Sequence, residues 1–445
     1  MSTRADGSVT CQRTRIIARL SESPARTEPP AQMLTSRRTH PTRTAGEPAR
    51  PRGRFGAGAL DDPRLVGAAA FAVALALVAL RVAVAGHGDV GRLVLLGSRF
   101  VAPGSHPGVP VTAGNGYDGQ FYYRLGLEPF NFSAQVHGIH MDSAARFERI
   151  AYPTLAWALA AGRAWLVPWS LIAVNAIGIG LLGWMGGLLA RDGARHAAWG
   201  LLVSGYFGFV WSLSRDLTEV VEATFLLAAL LAVRRGRPLV AGLALGVAAL
   251  SREPALIVAV ALAAVGVTRW WRRGRAPAAP GMPAVAPVHP AAWLVPVAMF
   301  ATWQAVAASA LGHLPLLASG QHNLDLPFVG LARGVAHYAP LLPSRASLLW
   351  FGELAVLGAV VLSAGRSFRT STAAPHERLA WIAYGVLTIC LAPGIWLGDV
   401  GFRSLDDLYL LSCVVLLASP RRARLVAPAM GLTWLVVAAE LVKVI

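Results

Sequence analysis

The chain has 445 residues, 55% of them hydrophobic and only 14% charged, and its mean hydropathy is +0.53. A water-soluble globular domain could not cover that much apolar side chain with so few charges, so an ordinary soluble enzyme is excluded. The net charge of +17 comes almost wholly from arginine, Lys443 being the only lysine, and the arginines fall between apolar runs and not along one stripe, which argues against a nucleic-acid partner.

Residues 1–60 are rich in Arg, Pro, Ser and Thr and have no apolar period, so they read as a disordered cytoplasmic tail that cannot bury enough surface to offset ordering entropy. No hydrophobic stretch follows its basic start, as a signal peptide would require. Arg37-Arg38 also lacks the apolar stretch of a twin-arginine signal, and Met33 offers an alternative start. Residues 61–445 form a polytopic membrane domain. Its apolar segments are 65–86, 168–190, 196–213, 219–233, 239–250, 255–268, 291–311, 347–364, 379–396, 408–419 and 425–444, eleven in all. The pair 239–250 and 255–268 reads as two short spans or a re-entrant hairpin. Residues 152–162 are too short to span and read as an interfacial helix. The fold class is therefore all-α, with about eleven transmembrane helices and a long first external loop over 87–167. Cys11 lies in the tail and Cys390 and Cys413 in apolar runs, a spacing that suggests neither zinc nor a disulfide framework.

Orientation follows from arginine in the connections. Every second connection is Arg-rich: 191–195, 234–237, 269–275, 365–378 and 420–424 hold fifteen arginines, and the tail up to Arg64 adds twelve. That places the N-terminus in the cytoplasm. Outside the tail, only Asp192 and Glu377 among the acids fall on the cytoplasmic side. Asp118, Asp142, Glu148, Asp216, Glu219, Glu222, Glu253, Asp399, Asp406, Asp407 and others lie at or near the external side. Longer and more polar external loops account for part of this. A working face that uses carboxylates accounts for the rest.

The loop over 87–167 carries Tyr117-Asp118-Gly119-Gln120-Phe121-Tyr122-Tyr123-Arg124 and, further on, Arg146-Phe147-Glu148-Arg149-Ile150-Ala151-Tyr152-Pro153. Its aromatics suit a water–lipid boundary, and Gly119 lets a backbone pass close to a ligand. Asp118 at such a boundary needs a partner or has a raised pKa, either of which serves a general base. It also fits an Asx turn or a helix N-cap. Asp216, Glu219 and Glu222 share one helix face. Asp216 to Glu219 reads equally as a capping box, which leaves Glu222 to pair with an external arginine or touch substrate. Arg124, Arg252 and Arg403 lie on the external side beside apolar helices. Arg252 with its neighbour Glu253 also reads as a paired structural element, and Arg146 and Arg149 as head-group contacts. His137, His140 and Asp142 have a spacing compatible with metal that is common by chance.

The Tyr-Asp-Gly-Gln-Phe-Tyr-Tyr element after the first apolar segment, followed by Arg-Ile-Ala-Tyr-Pro-Thr-Leu-Ala-Trp, resembles the first-loop pattern of the type C (GT-C) membrane glycosyltransferases, most of all their mannosyltransferase-like branches. The stretch from Arg234 to Pro254 is similar to that family's small-residue helix with its Thr-Arg-Pro-like turn. The resemblance covers about 65–270. Tyr117 stands where the family has Trp, and no Asp-x-Asp pair lies near Asp118. The resemblance implies transfer of a hexose or pentose from a polyprenyl-phosphate donor to a glycan, lipid or protein acceptor at the outer face of the cytoplasmic membrane. In that reading Asp118, Glu219 and Glu222 are catalytic. Tyr117, Gln120, Tyr122, Arg124, Arg252 and Arg403 bind substrate. A divalent cation (Mg or Mn), if used, is held by Asp118. The alternative is a non-enzymatic lipid or sugar transporter or flippase, which predicts broken helices and an internal repeat.

Overall fold

The computed structural model describes residues 59–273, 288–318, 323–398, 401–419 and 423–444. The tail up to residue 58, with Met33 and Arg37-Arg38, and the external positions His322 and Asp399 lie outside the described residues. The rest is an all-α polytopic bundle, and the chain is a multi-pass membrane protein. Helix α1 spans Pro63–Val84, α2 Gly119–Leu127, α3 Ala151–Leu159, α4 Val167–Asp192, α5 Gly200–Ser204, α6 Phe207–Ser214, α7 Glu219–Arg234 and α8 Pro238–Ser251. They are followed by α9 Leu256–Arg273, α10 Ala291–Leu311, α11 Val329–Tyr338, α12 Arg345–Ser367, α13 Pro375–Ile389, α14 Pro393–Leu397, α15 Asp406–Leu417 and α16 Ala423–Val444. Two short two-stranded sheets, Leu96–Gly97 with Val111–Thr112 and Gln135–Val136 with Ile139–His140, tie down the first loop.

Local chemistry sets these boundaries. Asp62 accepts from the Arg64 amide at 2.9 Å and Pro63 occupies the first turn of α1, where its missing N–H costs nothing. The first helix packs on α4 through small residues. A Cβ on Gly183 would stand 2.8 Å from the Cβ of Ala70, and one on Gly67 would meet the Gly180 carbonyl at 2.9 Å. Such close backbone approach is how apolar helices gain dispersion contact where lipid offers no hydrophobic drive. Helix α4 runs through the core. On it, fully buried Asn175 donates to the Tyr152 hydroxyl and the Leu217 carbonyl, both at 3.0 Å, joining α3 to the turn before α7.

The eleven apolar segments are helical, 196–213 and 379–396 each as two helices, and they differ in length. Among the described residues six helices, α1, α4, α9, α10, α12 and α16, are long and apolar enough to cross a membrane. A seventh arises if the pair on either side of Gly205-Tyr206, bent by 56°, is one span. Helices α7, α8, α13 and α15 have 16, 14, 15 and 12 residues. At about 1.5 Å per residue they reach roughly 18–24 Å, short of a hydrocarbon core of about 30 Å. Hydropathy alone registers them as spans because they are apolar; it does not register that polar residues end them early.

The ion pairs sort by side. Asp61 with Arg191, and Arg234 with Glu377, join helix ends read as cytoplasmic. The pairs that use Asp118, Arg146, Arg149, Glu219, Glu222, Arg252, Glu253, Arg403 and Asp406 join only ends read as external. All of the chemistry described below therefore lies at one end of the bundle.

Candidate active site

Asp118 occupies the position before α2, but its side chain caps nothing. Its Oδ1 accepts from Arg146 Nη2 at 2.9 Å and its Oδ2 from Arg403 Nη2 at 2.7 Å. The carboxylate retains 26% exposure, so it sits in a lip open to one side. Burial alone would push it up, but the two guanidiniums outweigh burial and hold Asp118 well below the usual carboxylate range. Arg403 reaches on through Nη1 to Glu219 Oε1 at 2.6 Å, and Glu219 Oε2 accepts from Ser212 Oγ at 2.9 Å. Arg146 also grips Asp142 at 2.8 Å and lies over the Phe121 ring. The result is a continuous row of alternating charge, Asp142, Arg146, Asp118, Arg403 and Glu219, drawn from the first loop, the start of α7 and the turn before α15.

One turn along α7, Glu222 starts a second group. Arg252, at the end of α8, donates from Nη1 to Glu222 Oε2 at 3.0 Å and to Asp406 Oδ1 at 2.7 Å. Asp407 completes it. Glu222, Asp406 and Asp407 are 0%, 0% and 3% exposed, and each offers an oxygen within 4.8 Å of the others. The Arg252–Glu253 pairing expected from adjacency does not form. Glu253 instead takes Arg149 in a two-point contact at 3.1 and 3.3 Å, because adjacent residues at a helix end point in different directions.

The structure thus brings Asp118, Glu219 and Arg403 into one network, joins Glu222 to Arg252, and places both on one helix face. Tyr117 belongs beside them: its ring lies under Arg215 at 4.4 Å and Arg403 at 5.6 Å. The other candidates make contacts within the first loop and its neighbours. Gln120 accepts from the Gly97 amide at 3.0 Å and donates to the Asn115 carbonyl at 2.9 Å, fixing the loop. Tyr122 is buried edge-on to Tyr152 and is hydrogen-bonded to Arg149. Arg124, fully buried, donates to the carbonyls of Asn131 and Ser133 and covers the Phe147 ring. Gly119 is needed because its Cβ would stand 2.2 Å from the Arg215 carbonyl, so the close approach is to the chain's own backbone.

Asp216 does not build a capping box with Glu219. It lies at φ +54° in the turn before α7, fully buried, with neither oxygen hydrogen-bonded, and burial pushes its carboxyl up to about 8. His137 pairs with Glu128 at 3.1 Å while Asp142 turns to Arg146, so His137, His140 and Asp142 do not gather. Sequence reasoning missed Arg146 and Arg149 as network members and Asp406-Asp407 as a cluster. The adjacent acids at 406–407, ahead of an apolar run, were the available signal.

Glu148, in the turn before α3, is 5% exposed with one oxygen unpartnered. Burial, and then the nearby Glu253 charge, push it up to about 7. A carboxyl raised on folding stabilises below its unfolded value and loses that stability as pH rises through the folded one. Melting temperature in detergent should therefore fall between pH 5 and pH 8, and Glu148→Gln should flatten the fall and gain a few degrees at pH 8. An unchanged slope would contradict this assignment.

No protein-family model matches the chain, and no curated protein is similar to it. Two solved structures are. One is the crystal structure of ArnT from Cupriavidus metallidurans bound to undecaprenyl phosphate: 17% identity, TM-score 0.42, covering 76% of this chain and 59% of that one. The other is an Archaeoglobus fulgidus oligosaccharyltransferase tethered to an acceptor peptide: 15% identity, TM-score 0.37, covering 83% of this chain and 55% of that one. The chain spans somewhat more than half the length of each of these two proteins.

Proposed function

We propose that the protein is a type C membrane glycosyltransferase that moves a hexose or pentose from a polyprenyl-phosphate donor to a cell-envelope acceptor at the outer face of the cytoplasmic membrane. The observation that carries this reading is Asp118 held between Arg146 and Arg403 at the lip of a helical bundle. A second feature fits a lipid-linked donor. A shallow apolar groove, lined by Leu77, Leu80, Val210, Leu213 and Leu441 together with Arg81 and Ser214, lies beside the Arg215 turn. Arg215 itself stacks between Tyr117 and Trp211. A prenyl chain in that groove would bring its phosphate toward the guanidinium row.

The chemistry is an exchange of partners. In the structure Asp118 is a weak base, because both its oxygens face cations. An incoming donor phosphate competes for the same guanidiniums, which bind phosphate as well as carboxylate. Arg403 keeps Glu219 and Arg146 keeps Asp142, so both stay in place while Asp118 is released and its pKa rises. Asp118 then takes the proton of the acceptor hydroxyl as that oxygen attacks the sugar C1 and the bond from C1 to the phosphate oxygen breaks. The negative charge left on the lipid phosphate is met by Arg403 and Arg146 in a water-poor site. A transporter would need a path lined at mid-membrane. Among the described residues one helix pair, α5 and α6, qualifies together as a single span bent at a break.

The test is turnover of lipid-linked sugars by purified protein, with both rate parameters followed against pH. Because kcat/KM reports the free enzyme and kcat the loaded one, the acid limb of kcat/KM should lie below the ordinary carboxylate range and that of kcat distinctly above it. No transfer from any polyprenyl-phosphate sugar, or coincident limbs, would count against the reading.

A further inference from the structure

The second acidic group is unbalanced. Glu222, Asp406 and Asp407 bring three negative charges to a site with almost no exposure, and Arg252 answers one of them. Arg252 occupies Glu222 Oε2 and Asp406 Oδ1. The remaining oxygens Glu222 Oε1, Asp406 Oδ2 and Asp407 Oδ1 are buried and accept from no N–H or hydroxyl, and the Glu222 and Asp407 carboxyls face each other within hydrogen-bond reach, which takes either a shared proton or a cation between them. Buried carboxylate oxygens left without a partner are costly, by several kcal/mol per ion in typical cases. Three together on facing helix ends need a positive occupant.

We propose that Glu222, Asp406 and Asp407 hold a divalent cation of the hard, oxygen-preferring kind, Mg²⁺ or Mn²⁺, and that Asp118 does not. Three carboxylates against one guanidinium leave two negative charges, which one divalent ion neutralises. The donor set is all oxygen, with neither nitrogen nor sulfur, which disfavours zinc and copper. Asp118 has the opposite surroundings: its two oxygens already face two cations. Arg252 orients two of the ligands from the far side, as outer partners of metal ligands do. The proposal rests on the transferase reading only for its purpose, since Glu222 stands one turn from Glu219 and so places the ion beside the guanidinium row. The site itself stands on the carboxylates alone.

The experiment measures binding and not turnover. Full-length protein in nanodiscs is stripped with EDTA and titrated with MnCl₂, with free Mn²⁺ followed by electron paramagnetic resonance. Wild type should take up one Mn²⁺ per chain, displaceable by Mg²⁺. Asp407→Asn removes a ligand and should weaken uptake by about 100-fold or more, since losing even an outer partner of a ligand costs about 10–100-fold. Asp118→Asn should bind as wild type does. Wild type that binds no Mn²⁺ would overturn the proposal whether or not the variants purify, and would mean that protons neutralise the cluster. So would loss of binding in Asp118→Asn with binding kept in Asp407→Asn. If wild type binds Mn²⁺ yet transfers no lipid-linked sugar, the metal site stands and the transferase reading falls.

Discussion

Asp118→Asn should cost about 10²–10⁴-fold in transfer, the span a positioned general base supplies, while the protein is made and folds as before. The asparagine keeps the shape and one acceptor oxygen but cannot take a proton. The fold should survive because neither arginine is stranded. Arg146 still has Asp142 at 2.8 Å, and Arg403 still has Glu219 at 2.6 Å. The measurement is single-turnover transfer in nanodiscs alongside size-exclusion and thermal melts. Transfer within a few-fold of wild type would remove Asp118 from the chemistry. A large drop in melting temperature would make it a structural ion-pair partner instead. Chemical rescue is the finer check: a small exogenous carboxylate should restore part of the rate to Asp118→Gly only if a base is what is missing.

Arg252→Ala should do the reverse, with its first effect on stability. Removing one member of a buried charge group strands the others, at about 3–5 kcal/mol. Here Glu222 and Asp406 both lose their hydrogen-bonded cation at 3.0 and 2.7 Å. The expected result is poor yield and a melting temperature lowered by ten degrees or more. Arg252→Lys should recover only part, since a compact ammonium lacks the planar guanidinium's spread of charge and donors. A second substitution separates electrostatics from packing. Adding Asp406→Asn to Arg252→Ala removes a stranded charge and should restore stability if the loss is electrostatic. If the double variant is no better than the single one, the guanidinium's part is to fill space. The two predictions together separate the loss of a base at Asp118 from the stranding of buried charge around Arg252.

The same division explains how much was legible in the chain. The apolar segments, their alternation and the grouping of acids at one end follow from composition and the arginine bias of connections, because a bilayer imposes length and satisfaction rules that any sequence must show. Asp118 stood out because it is an acid among aromatics after the first apolar segment. Glu219 and Glu222 stood out because their spacing puts them on one face. The partners did not show. Arg146 follows Asp118 by 28 residues and Arg403 by 285, and Arg252 meets Asp406 across 154. No periodicity reaches that far. Nearest-neighbour reasoning failed for a related cause. Arg252 and Glu253 are adjacent, yet each pairs elsewhere, since the direction of a side chain at a helix end is set by the turn it sits in.

By itself the sequence determined that this protein lives in a membrane, which end of the bundle carries its carboxylates, and which loop acid to examine first. Those are properties of solvent and local pattern. The tertiary structure alone decided that the acid lies between two guanidiniums, that three other acids gather around Arg252, and that several apolar helices are shorter than a hydrocarbon core is thick. Coulomb energy depends on distance through space. Distances between groups hundreds of residues apart exist only once the helices have packed.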